Sequence, residues 1–226
     1  MAASCTSVSA VWILLCSLAL PVAPSPLCSG PPGAPGCPIV SLANLFDRVI
    51  QHSARMHGIS TDLHQEFEQQ FVPNRNHIGR LSRTCHTSSI LTPNDKENAQ
   101  RLTREELMEL VLQLLGAWRE PLWHFLQSLR NNNHFHLNLD KVQQVGHMVH
   151  ELRNGVQKVA QKMQMLGMIG NSVSVLSSPE VQAQPESSEW PRLQNYDLMH
   201  CLRRDSSKVQ NYLKILKCRI VLEHGC

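Results

Sequence analysis

The chain has little that would do chemistry or hold it in a membrane. Its one strongly apolar run, Val11–Leu20, is too short to span a bilayer, and no second long run follows. The bulk of the protein is therefore expected to be soluble and released, without membrane insertion. There is no G-x-S-x-G turn, no glycine-rich phosphate loop and no H-E-x-x-H pair, which removes the commonest hydrolase, nucleotide and zinc-protease readings. No enzyme is expected. Neither sign of charge dominates at a net +3, which argues against nucleic acid as the main partner. Asn-x-Ser/Thr is absent, so N-glycosylation is not expected. Histidine is plentiful, at 12, but His134 with His136 and His147 with His150 lack a neighbouring cysteine or carboxylate set. They read as structural or surface groups, and neither a metal nor a cofactor is expected.

Val11–Leu20 followed by Pro21, Pro24 and Pro26 has the form of a secretory signal, although no Lys or Arg precedes it. Cleavage is expected between Leu20 and Leu27, giving a signal over 1–24 and one domain over 25–226. That domain is long enough to bury about 70% of its unfolded surface around one core. Of the 8 cysteines, Cys5 and Cys16 leave with the signal. Cys28, Cys37, Cys85, Cys201, Cys218 and Cys226 remain, an even set that implies disulfides in a secreted chain. Proximity in sequence favours Cys28–Cys37 and Cys218–Cys226, which leaves Cys85–Cys201. The last would stabilise by roughly 4 to 5 kcal/mol in the chain-entropy picture, the short loops by about 2 to 3 each.

Periodicity predicts four long helices. The first covers Ser41–Phe71, with Ser41 as cap, Pro73 beyond its end and Gly58 as an interior weakness of about 1 kcal/mol. The second starts at a Thr103–Glu106 capping box and carries an apolar stripe to Leu129, with a kink expected at Pro121. The third runs from about Asn138 to Leu166, and its Met148, Met163, Met165 and Met168 read as core filling. Gly155 in its interior needs a reason, either a sister helix or an external contact. The fourth spans Leu193–Leu222. Connections over 72–102 and 167–192 are long enough to return along a helix, whereas 131–137 is short. That pattern predicts an all-α, up-up-down-down four-helix bundle of long-chain cytokine type with two long crossovers. Thr92-Pro93 opens a short extra helix within the first crossover. In the terminal tract His200–Cys226, Arg203, Arg204, Lys208, Asn211 and Lys214 lie off the apolar stripe, a basic face that is either solvated or a partner surface.

Several motifs are specific. Cys85-His86-Thr87-Ser88-Ser89 with Thr92-Pro93 and Asp95-Lys96-Glu97, Leu45-Phe46-Asp47-Arg48, Trp118-Arg119-Glu120-Pro121-Leu122, and His200-Cys201-Leu202-Arg203-Arg204-Asp205-Ser206 with Asn211-Tyr212-Leu213-Lys214 all resemble the prolactin family. The resemblance runs from Cys28 to Cys226 and is thin over 131–190. It implies a secreted, monomeric hormone that joins two chains of a single-pass prolactin-type cytokine receptor. It also implies a first face on helix four, helix one and the first crossover, including His57, Tyr196, Arg203, Arg204, Lys208 and Tyr212. A second face on helices one and three would include Gly155, where bulk would block receptor approach. Two positions depart from the common pattern, Ser207 and Ala54, where histidines often stand. Growth hormone and somatolactin are the nearest rivals; the expected Cys28–Cys37 pair speaks against the former and the CHTSS motif against both. A secreted helical carrier of an apolar ligand is the reading from a different class.

Overall fold

The computed structural model describes residues 41–71, 85–131, 138–170 and 192–221. Every described residue lies in one compact unit, within residues 40–226. The expected signal, Cys28–Cys37 and Cys226 fall outside the described residues.

The described chain is all-helical: α1 (Leu42–Phe71), a 3-10 turn (His86–Ser89), α2 (Lys96–Arg101), α3 (Arg104–Ala117), α4 (Arg119–Asn131), α5 (Leu139–Met165) and α6 (Arg192–Ile220). Their starts follow from side chains that satisfy free backbone N–H groups. Ser41 Oγ accepts from Asn44 N at 3.1 Å, and Asn138 accepts from Lys141 N at 3.2 Å. Thr103 and Glu106 form the reciprocal box, at 3.1 and 2.7 Å. At the far end of α5, Gly167 takes φ 66° and Met168 N returns to the Met163 carbonyl at 2.9 Å. Only glycine adopts that left-handed turn cheaply.

Contacts fix the directions. Asp47 meets Lys217 at 2.6 Å and Glu68 meets Tyr196 at 3.0 Å, so α1 and α6 run antiparallel. Glu66 pairs with Lys141 while Val49 faces Gly155, so α1 and α5 are antiparallel too. Arg104 donates to the Arg219 carbonyl at 3.2 Å and Trp118 to Asp205 at 3.0 Å, placing α3 against α6. Arg130 reaches Gln143 at 3.3 Å across α4 and α5. Helices one and two therefore point one way and three and four the other. Phe46, Met56, Leu63, Phe67, Leu114, Leu152, Met163 and Met199 fill the shared core. No helix among the described residues is long and apolar enough to cross a membrane.

Three local expectations are corrected. The second helix is two helices, broken at Trp118, three residues before the proline expected to kink it. Pro121 lacks an N–H, so the Ala117 carbonyl loses its helical donor and the chain turns there. In the short crossover helix, the cap is Asp95, which accepts from Asn98 N at 2.7 Å; Thr92 is engaged elsewhere. Among the methionines, Met148 and Met163 are core, whereas Met165 is 78% exposed beyond the last apolar turn.

Candidate functional site

The basic face of α6 is built around one carboxylate. Asp205 lies one turn after Cys201 and is only 1% exposed, a position that demands partners. It has them from three elements. Thr87 Oγ1 of the crossover turn donates to its Oδ2 at 2.6 Å, and Trp118 Nε1 donates to the same oxygen at 3.0 Å. Arg204 donates to Oδ1 from Nε at 2.8 Å and from Nη2 to Thr87 Oγ1 at 2.8 Å. The disulfide Cys85–Cys201, with Cα atoms 5.7 Å apart, closes the same corner. Cys218 is disulfide-bonded as well.

The break at Trp118 is tied into this corner. His86 Nε2 donates to the Ala117 carbonyl at 3.2 Å, the group that Pro121 leaves without a helical donor. The Trp118 ring meets His86 edge-on, with centroids 4.4 Å apart. Burial holds the His86 pKa below its usual value, and the bond to Ala117 and the charge of Asp205 offset that only in part.

Farther along, α6 holds the crossover by two more side chains. Lys208 Nζ donates to Thr92 Oγ1 at 2.5 Å, and Tyr212 O–H donates to the Pro93 carbonyl at 3.3 Å. Burial lowers the Lys208 pKa, helped by the Arg204 charge. Burial and then Asp205 push Tyr212 up to about 12. Between these fixed points Leu91 projects into solvent, 90% exposed.

The residues expected on the first face are thus differently placed. Tyr196 and Tyr212 are buried, Tyr196 donating to Glu68, so neither offers its ring to solvent. Arg204 and Lys208 are partly exposed and bound to the crossover. Arg203 is partly exposed. His57 on α1 meets Ser206 at 2.9 Å; because Ser206 donates to the Arg203 carbonyl at 2.9 Å, the imidazole Nδ1–H is the donor. Burial lowers the His57 pKa, and the nearby Arg203 charge adds to this. Gly155 lies apart, against α1, where an added Cβ would sit 3.0 Å from Val49 Cγ1. Of the two reasons open for it, close packing against a sister helix is the one the geometry displays.

Thr87, Trp118, His86 and Asp205 escaped the reading of residues one by one. A signal existed for Asp205: an acid four residues after a disulfide cysteine falls on the same helical face, and hence inward.

An antiparallel helical bundle with paired long crossovers, one of them stapled to the last helix, defines the class of long-chain helical hormones. The somatotropin hormone family profile matches residues 13–226, and the chain belongs to that family. This is a family of secreted, non-enzymatic hormones that bind cytokine receptors.

Proposed function

We propose that the protein is a prolactin-type hormone that assembles two chains of a single-pass prolactin-type cytokine receptor and signals through receptor-associated kinases. Residues 1–24 are its signal, 25–226 the hormone, released as a monomer with disulfides Cys28–Cys37, Cys85–Cys201 and Cys218–Cys226. The observation that carries this reading is the Thr87–Asp205–Trp118 cluster. It uses the residues of the CHTSS and CLRRDS motifs to bind the first crossover to α6, so two segments act as one surface. In that surface His57, Arg203, Arg204, Lys208 and the exposed Leu91 are direct contacts. Tyr196 and Tyr212 hold the helix and crossover in register from beneath. The second face lies on α1 and α5, around Gly155.

Titration with soluble receptor ectodomains tests this. Saturable binding to a prolactin-type ectodomain, ending at one hormone to two receptors, is expected. Preference for a growth-hormone-type or somatolactin-type ectodomain would move the protein to that branch. Stoichiometric lipid in a native mass spectrum, with no receptor binding, would make it a carrier.

A further inference from the structure

Two interior glycines of this bundle have opposite surroundings. At Gly155 an added Cβ presses on Val49, so internal packing accounts for it. At Gly58 a Cβ would meet no heavy atom within 4 Å, although glycine weakens a helix at that position. Packing gives no reason for Gly58. Gly146 is equally open. Gly58 differs in what it lines: an open groove of about 790 Å³ between α1 and α5.

The chemistry of that groove is lopsided. Asp62, Asp140 and Glu151 line it against one guanidinium, Arg55. The adjacent Lys141 is turned to Glu66. His52 is also engaged: Nε2 donates to the Met148 carbonyl at 3.2 Å, and Nδ1 accepts from Arg55 Nη2 at 3.3 Å. The same Nε2 lies 3.7 Å from Glu151 Oε2. With His52 beside Glu151 and the Lys141 charge shared between Glu66 and Asp62, the three carboxylates still outnumber the fixed cations of the lining, and the apolar walls of Ile59 and Met148 concentrate that field on whatever enters.

We propose that this groove is the receiving part of the second receptor-binding face, kept open by Gly58 and filled by a basic side chain of the second receptor chain. The inference rests on the two-face reading above. It adds Gly58 to that face as a second position where bulk would block approach and names the chemistry of the group that enters there.

The test uses residues 25–226 with a soluble prolactin-type receptor ectodomain, following one-to-one and one-to-two binding separately. Gly58→Leu sets its Cβ in open space at the groove. Its melting temperature is expected to equal or exceed that of wild type, its one-to-one affinity to stay within about twofold, and its affinity for the second chain to fall about tenfold or more. Asp62→Asn with Glu151→Gln is expected to weaken the second step about fivefold and to flatten its salt dependence. If Gly58→Leu assembles like wild type, the groove proposal is overturned and the two-face reading stands. If wild type itself never recruits a second chain, both fall. Weakening by Gly58→Leu without any effect of the neutralised pair would overturn the basic occupant. So would a wild-type dimer that Gly58→Leu dissolves, since the groove would then hold a second hormone.

Discussion

Asp205 shows how one buried acid can organise a basic surface. Both its oxygens are occupied, and its donors come from the crossover, from the break between α3 and α4, and from its own neighbour Arg204. Removing one partner of such a cluster strands the others, which costs more than the bonds are worth net. Asp205→Ala is therefore expected to lower unfolding stability by about 2 to 4 kcal/mol in urea titrations. Thr87→Val, which leaves the Trp118 and Arg204 bonds to Asp205 in place, is expected to cost about 1 kcal/mol. Equal losses would mean that the carboxylate does not organise the corner. The side chains also mark where sequence reading stops. The position of Arg204 off the apolar stripe is written in the spacing, but its reach to Thr87 across its neighbour Asp205 depends on a residue 117 positions away. Tyr212 likewise reads as a partner contact until its burial beneath Pro93 is seen.

At the level of elements, the helical faces, the capping box and the Ser41 cap of the first helix follow from local chemistry, which is why they could be read from sequence. The break at Trp118 could not be placed so well. Proline removes one donor, but where the chain turns depends on which distant group takes over the freed carbonyl, and here that group is His86. This joint has a pH dependence. The His86 and His57 pKa values are both lowered in the folded state, chiefly by burial. Below the ordinary histidine value of about 6.5 the unfolded chain binds protons that the folded one resists, so their contribution is complete above that pH and is lost as pH falls through the folded values. Stability is expected to be lower at pH 5.5 than at 7.5 in denaturant titrations. His86→Gln, which can still donate to Ala117 without titrating, should reduce that difference; an unchanged difference would remove His86 from the account. Helix glycines separate in the same way. Gly58→Ala gains helix propensity in open space and is expected to stabilise by about 0.5 to 1 kcal/mol. Gly155→Ala sets the same gain against the stiff, buried Val49, so it should end about 1 kcal/mol or more below Gly58→Ala. Thermal melts of the two variants decide this, and identical stabilities would mean that α1 yields freely.

The molecule as a whole is a bundle whose last helix is held to the first crossover by a disulfide, the Asp205 corner, Lys208 and Tyr212, so the proposed first face is a preorganised surface. Such a face responds to acid only through the groups that still titrate on it. Two positions where histidine often stands in the prolactin pattern are Ala54 and Ser207 here, which leaves His57 beside Arg203 as the imidazole on its α1 side, with His86 on the crossover turn. Protonating His57 would place a third cation near Arg203 and Lys214, whose charges already disfavour it. Its lowered pKa delays that event to a more acid range. Between pH 7.5 and 6 the protein should therefore lose less affinity for a prolactin-type ectodomain than a relative carrying all three histidines. The comparison has an internal control. Restoring the imidazoles with Ala54→His and Ser207→His should steepen the loss over the same interval, because each adds a group that charges near its ordinary value beside existing cations. An equal or larger loss in wild type, or no steepening in the double variant, would show that the acid response resides on the receptor rather than on this face.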